Sequence, residues 1–227
     1  MSNPHVLVIP YPEQGHIIPL MELSQCLVGY GIKITFVNTE HNQERIGNAS
    51  AWKMKGHIGD LIHLVSFSDG LESAEDRNKP GKRSETFLRL MPRKVEELIE
   101  RINASDSNKI SCILADQTIG WALELAERKV IKRAAFCSAS AAMLVQGFSI
   151  PKLIEYGMID RKVGLGFSTD ENGIVPRGEI KNRVEQLLSS EEIKASALEL
   201  KEMVMNSIKE GGSSCQNFKK FIEWIKT

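Results

Sequence analysis

The chain has 227 residues, 42% of them hydrophobic and 26% charged, a make-up that excludes the disordered, collagen-like and coiled-coil classes. Lys plus Arg and Asp plus Glu both number 29, so the formal net charge is zero. The balance is also local, with 12 basic and 12 acidic side chains in residues 151–227, so no basic half exists to neutralise phosphates and nucleic acid is not expected as a partner.

The first apolar run, Val6-Leu7-Val8-Ile9, stops at Pro10 and Pro12. It is too short for the apolar region of a signal peptide or for a membrane span. Cys26, Cys112, Cys137 and Cys215 are scattered, without a C-x-x-C, and read as reduced thiols. A cytoplasmic location is the expectation, with no integral membrane segment.

Taken in chain order, residues 5–9 read as a buried parallel strand, a short continuous apolar run. Pro12 to Gly15 reads as a turn. A helix is expected from about Ile17, with Pro19 in its first turn and Leu20, Leu23 and Leu27 on one face, ending at Gly29 and Gly31. Residues 33–38 form a second strand, and a polar, partly helical stretch follows to about residue 55. Residues 61–67 form a third strand, closed by Ser68-Asp69-Gly70. Residues 72–83 look like a solvated loop.

From Ser84 to Ile102 the apolar residues Phe87, Met91, Val95, Leu98 and Ile102 recur at helical spacing. Pro92 is expected to kink or split that helix. Residues 110–115 are a fourth strand, residues 119–128 a helix, and residues 132–137 a fifth strand. A helix with a break near Pro151 is expected from Ser138 to Tyr156. Strands that are apolar on both faces and alternate with helices predict a Rossmann-like parallel sheet with right-handed crossovers.

After residue 160 the pattern changes. Val163 to Phe167 reads as one short strand, and the rest is helical. Ile180, Val184 and Leu187 share a face. Ser189-x-x-Glu192 is a capping box before a helix carrying Ile193, Ala197, Leu200, Val204 and Ile208. Gly211-Gly212 ends that helix, and Phe218, Phe221, Ile222 and Ile225 stripe a last one. The predicted organisation is therefore an α/β domain over 1–160 and a helical tail over 161–227. The tail's apolar stripes are expected to pack on the first domain or on each other.

In an open α/β sheet, ligands bind beyond the carboxyl ends of the strands. His16 follows the first strand, and Asp116 follows the fourth. A neutral imidazole is a suitable proton acceptor near neutral pH, and a carboxylate behind it would set its tautomer and stabilise the imidazolium. On spacing alone, the alternative is that His16 caps its own helix and Asp116 the next. Ser138 opens a segment after the fifth strand, either as an anion-binding helix start or as an N-cap. His57 and His63 lack a neighbouring Cys pair, so no metal site is read. The first strand–helix turn offers Gly15 but no G-x-G-x-x-G, and a Pro at 19, which argues against a nicotinamide-dependent oxidoreductase.

The segment Pro10-Tyr11-Pro12-Glu13-Gln14-Gly15-His16-Ile17-Ile18-Pro19-Leu20 resembles the opening motif of the plant secondary-product UDP-glycosyltransferases, glycosyltransferase family one. Asp116 with Trp121-Ala-Leu-Glu-Leu-Ala126 is similar to a second motif of that family, and Phe136-Cys137-Ser138 to a third. The similarity covers residues 4–160, and residues 162–226 resemble the family's far C-terminal end. The resemblance implies the N-terminal half of a glycosyltransferase-B fold, in which a pair of Rossmann-like domains face each other and the second holds the sugar donor.

That donor-binding part has no counterpart here. No His follows His63, no H-C-G-W-N-S run occurs, and the only Trp after Trp121 is Trp224. The chain jumps near Arg161-Lys162, which implies an internal truncation.

Carried over by residue, the resemblance makes His16 the base for an acceptor hydroxyl and Asp116 its orienting carboxylate. Gly15, His16 and Ser138 become substrate-binding, with Ser138 where the family often has a Thr at the sugar donor. The implied partners are a small phenolic acceptor and a UDP-sugar, which is a co-substrate, so no cofactor is implied. The implied activity is inverting hexosyl transfer, absent in this truncated form. The alternative is a non-catalytic remnant that binds a small molecule or a partner, with exposed apolar surface favouring self-association.

Overall fold

The runs at residues 5–9, 33–39 and 112–116 are buried almost throughout and become the central strands of one sheet, whereas residues 62–67 and 132–136 form its part-exposed edges. In the computed structural model the described residues are 3–47, 61–71, 76, 79, 81–105, 108–139, 171, 173–189 and 191–227. The elements are β1 (His5–Ile9), α1 (Gln14–Val28), β2 (Lys33–Thr39), α2 (Glu40–Gly47), β3 (Ile62–Phe67), α3 (Lys82–Asn103), β4 (Cys112–Asp116), α4 (Gly120–Arg128) and β5 (Lys132–Phe136). They are followed by α5 (Arg177–Ser189), α6 (Glu191–Ile208) and α7 (Ser213–Lys226).

The strand order is β3-β2-β1-β4-β5, with every pairing parallel. The chain winds outward from β1 to β3, then returns to place β4 on the other side of β1. The junction of β1 and β4 is therefore the topological switch point, where open α/β sheets form their ligand crevice.

Successive side chains of a strand point to opposite faces. Leu7, Ile9, Ile113 and Ala115 face α3 and α4, where they pack with Phe87, Met91, Val95, Leu98, Leu125 and Ala126. Val6, Val8, Ile34, Phe36 and Leu114 are equally buried, and α1 buries Ile17, Leu20, Met21 and Leu27. Each such side chain contributes about 1.5–3 kcal/mol relative to exposure. The face of α3 read from its spacing is the one that is buried.

Two expectations about proline change. The helix α1 begins at Gln14, so the expected turn over Pro12 to Gly15 is shorter and Pro19 lies in the second helical turn. Pro19 has no N–H to donate to the Gly15 carbonyl, yet Gly15 is exposed and has open space beside it. Pro92 neither splits nor ends α3, which runs continuously from Lys82 to Asn103. The carbonyl deprived of its donor there belongs to Leu88, which is 43% exposed, so water can serve it.

The turn after β3 is a close approach. Gly70 has φ of 73°, and a Cβ there would lie 2.5 Å from Leu90 Cδ1. Only glycine satisfies both the left-handed backbone and that spacing.

The chain groups into two compact units, one formed by Met1–Ser140 with Ile222–Thr227, the other by Ala141–Phe221. The expected boundary near 160, the strand over 163–167 and all but the first two residues of the helix expected from Ser138 to Tyr156 lie outside the described residues; residues 138 and 139 are bends. In the first unit, the last turn of α7 buries Ile222 and Ile225. Lys132 Nζ donates to the Trp224 carbonyl and to Thr227 Oγ1, both at 3.0 Å, and lies 5.6 Å from the Trp224 ring centroid.

In the second unit, Ser189 is the last residue of α5 and α6 begins at Glu191, so Ser189 belongs to the preceding helix rather than standing free as a cap. Packing of the apolar stripes is present at the end of α7. At Ile180, Val184, Val204 and Ile208, the described stripe positions of α5 and α6, the side chains are exposed. An amphipathic stripe needs an apolar surface opposite it, and the described residues leave these positions uncovered.

Candidate active site at the switch point

The register of β1 and β4 builds the site. Ile9 lies opposite Ala115, so the residue after Ala115 emerges at the rim just where β1 gives way to the turn leading into α1. Asp116 is that residue. His16 is the third residue of α1, and its backbone N–H donates to the Glu13 carbonyl. The two side chains meet across 100 residues of sequence, with His16 Nδ1 at 2.7 Å from Asp116 Oδ2.

Asp116 is fully buried, and the side chain of His16 is 28% exposed. A carboxylate only accepts, so the proton on that bond belongs to Nδ1. The tautomer leaves a lone pair on Nε2, which has no hydrogen-bond partner among the described residues. The other carboxylate oxygen, Oδ1, accepts from Thr118 N–H at 2.9 Å and from Thr118 Oγ1 at 2.6 Å. Three donors thus converge on one buried carboxylate, the condition for keeping it charged out of water.

Neither member of the pair is a helix cap. The N-cap of α1 is Glu13 and that of α4 is Ile119. Asp116 bonds the Thr118 N–H, which precedes α4, in a local turn.

Of the other predicted site residues, Gly15 is exposed one position before His16, in open space. Ser138 is half-buried, with Oγ 3.5 Å from His16 Nδ1. That distance is at the outer limit for a hydrogen bond, and the nitrogen already serves Asp116 at 2.7 Å. All four predicted positions, 15, 16, 116 and 138, therefore lie on one rim. Among the described residues, no three His, Cys, Asp or Glu side chains cluster as metal ligands.

Three neighbours were not singled out from sequence. The ring of Tyr11 stands edge-on to His16, with centroids 5.2 Å apart, and to Phe87 at 6.2 Å. Its hydroxyl hydrogen-bonds Ser84 Oγ, and Arg83 pairs with Glu13 at 2.8 Å. These contacts tie the start of α3 to the β1–α1 turn. Thr118 carried a signal, since Asp-x-Thr is a common side-chain-to-backbone turn. Tyr11 and Ser84 are 73 residues apart, and no local pattern links them.

No family model matches the chain. UDP-glycosyltransferase 83A1 of Arabidopsis thaliana is 55% identical over 164 residues, covering 70% of this chain and 35% of that protein. This chain is a relative of the plant UDP-glycosyltransferases. The (R)-mandelonitrile beta-glucosyltransferase of Prunus dulcis is 33% identical over 177 residues, covering 74% of this chain and 35% of that enzyme.

Among solved structures, the UDP-glucose: anthocyanidin 3-O-glucosyltransferase in complex with UDP matches with a TM-score of 0.54 at 24% identity. That match covers 76% of this chain and 37% of the other. It shows that the matched part of this chain shares its fold with the corresponding part of that structure. The chain spans about a third of the length of the curated relatives it matches.

Proposed function

We propose that residues 1–140 are the acceptor-side part of a UDP-sugar-dependent glycosyltransferase for small hydroxylated acceptors such as phenolics. The observation that carries this reading is the 2.7 Å contact between His16 Nδ1 and a fully buried Asp116 at the switch point. The relationship to glycosyltransferases supports the reaction class, and the mandelonitrile glucosyltransferase among the relatives points to a small hydroxylated acceptor.

The chemistry follows from the tautomer. Nε2 takes the proton of the acceptor hydroxyl as its oxygen forms a bond to the anomeric carbon. The bond from that carbon to the diphosphate oxygen breaks, and its electron pair leaves with UDP. The imidazolium so formed faces the Asp116 carboxylate, which stabilises it. Gly15 and Ser138 lie where substrate would approach, and Ser138 is the candidate contact to the donor sugar.

Much of the acceleration in such a transfer comes from positioning the donor and stabilising the leaving group. The sequence carries no H-C-G-W-N-S run and no His after position 63 to supply that part. We therefore expect this chain by itself to bind acceptor without transferring sugar. Calorimetric titration with UDP-glucose, beside fluorescence titration with a flavonol, tests this. Saturable flavonol binding with no UDP-glucose binding is expected, and glucoside formation should not exceed that of His16→Ala. Tight UDP-glucose binding overturns the inactive reading, and absence of saturable flavonol binding overturns the acceptor-side reading.

The exposed apolar positions of α5 and α6 favour self-association, to be tested by sedimentation velocity at rising concentration. Lack of concentration dependence would remove it. Four thiols that form no disulfide fit a cytoplasmic location, and no helix among the described residues is long and apolar enough to cross a membrane. A fluorescent fusion found outside the cytoplasm would refute that location.

A further inference from the structure

We propose that Thr118 is a positioning residue for the His16–Asp116 pair. The inference rests on the reading of that pair as the proton acceptor, and adds a third residue that sets its geometry. A carboxylate at the end of a strand has one soft torsion, the rotation of its own oxygens. Rotation would carry Oδ2 away from the imidazole. Here Oδ1 is held from two directions, by the Thr118 backbone N–H at 2.9 Å and by its hydroxyl at 2.6 Å. With Oδ1 fixed, Oδ2 is left for His16 Nδ1 at 2.7 Å.

The geometry also bears on where the proton sits. Two donors on Oδ1 draw negative charge toward that oxygen and lower the carboxylate's pull on the Nδ1 proton. The proton stays on nitrogen, and Nε2 keeps the lone pair that accepts from a substrate. The backbone bond is available to any residue at position 118 other than proline. The hydroxyl bond needs Ser or Thr. The position is thus specified by its side chain: Thr118 itself is exposed, but the oxygen it holds belongs to a fully buried carboxylate.

Proton NMR of the full chain labelled with 15N-histidine tests this without requiring turnover. A strongly hydrogen-bonded imidazole N–H gives a downfield resonance shielded from exchange with water. The wild-type chain should show one for His16, lost in Asp116→Asn. In Thr118→Val the side-chain shape and the backbone bond persist while the hydroxyl bond is gone. The His16 resonance should then broaden, with about tenfold faster exchange with water, the order expected for losing one hydrogen bond to a charged group. Thr118→Ser should restore the wild-type signal, a rescue that general loosening would not produce. Thermal unfolding of each variant, with Thr118→Ala as the second deletion, separates misfolding from a local effect.

An unchanged, slowly exchanging resonance in both folded Thr118→Val and Thr118→Ala overturns the role of Thr118 and leaves the dyad intact. Failure of Thr118→Ser to restore the signal also overturns it. Absence of the resonance from the wild-type chain overturns the dyad itself.

Discussion

The two ends of β1 carry two histidines in opposite situations. His5, at the start of the strand, is 2% exposed and uses both ring nitrogens: Nδ1 donates to the Asn108 carbonyl at 2.9 Å, and Nε2 accepts from Thr35 Oγ1 at 2.8 Å. His16, in the helix that follows the other end, uses only Nδ1 among the described residues, and its side chain is 28% exposed. An imidazole with both nitrogens committed and no access to water is part of the scaffold. One with a fixed tautomer and an uncommitted nitrogen at a rim is equipped to take a proton. Burial of His5 holds its pKa below the ordinary 6.5, with the bond to Asn108 opposing that shift.

The largest expected contrast is in activity, once a donor-binding half is present. Residues 1–140 grafted onto the remainder of the Arabidopsis relative should form glucoside. His16→Ala should lower its kcat by about 100- to 10,000-fold, the range for losing a general base. His5→Gln should leave kcat of the folded fraction close to that of the parent. Steady-state kinetics on a phenolic acceptor would read both, and equal losses would erase the distinction between the two residues.

Stability should show the reverse order. In urea denaturation of the 227-residue chain, His5→Ala is expected to cost about 2–4 kcal/mol, since it leaves a cavity with a carbonyl and a hydroxyl unpaired inside. His16→Ala should cost less than about 1 kcal/mol, because the residue is partly exposed. A larger penalty at His16 than at His5 would contradict the assignment of scaffold and site.

A smaller effect concerns pH. The folded-state pKa of His5 is lowered, so on acidification the unfolded chain binds this proton first. The contribution of His5 is full above the unfolded value of 6.5 and is lost as pH falls below it, toward the lower folded value. Denaturation midpoints measured from pH 8 to pH 5.5 should decline at the acid end, and His5→Gln should flatten that decline. An identical slope in the variant would show that other groups control it.

The smallest effect is chemical. Burial pushes the Cys112 thiol up to about 12, whereas Cys26 is exposed. A thiol reagent at neutral pH should label Cys26 in the native chain and reach Cys112 only after unfolding, as peptide mass mapping would show. Native labelling of Cys112 would mean that β4 opens readily.

Much of the sheet was legible because a strand buried on both faces must be a continuous apolar run. Val6 to Ile9 and Cys112 to Ala115 satisfy that locally, and the strand ends agree to within two residues. Helix starts were less legible. α1 begins three residues earlier than expected, because Pro12 and Gly15 are turn residues by composition, while Pro19 is accommodated beyond the first turn, opposite an exposed Gly15. The exposed stripes of α5 and α6 show the same limit: periodicity names a face and says nothing of what covers it.

By itself the sequence determined which residues line the rim, since strand ends are set by local pattern and both His16 and Asp116 follow strands. It also carried the resemblance to the plant UDP-glycosyltransferases, through the run from Pro10 to Leu20. Only the tertiary structure decided that β4 lies against β1, bringing together residues 100 apart, and that Thr118 rather than a helix end receives the second oxygen of Asp116. The physical reason is that hydrogen bonds between distant side chains depend on strand order and register. Those are settled by packing of the whole sheet and leave no local trace in the chain.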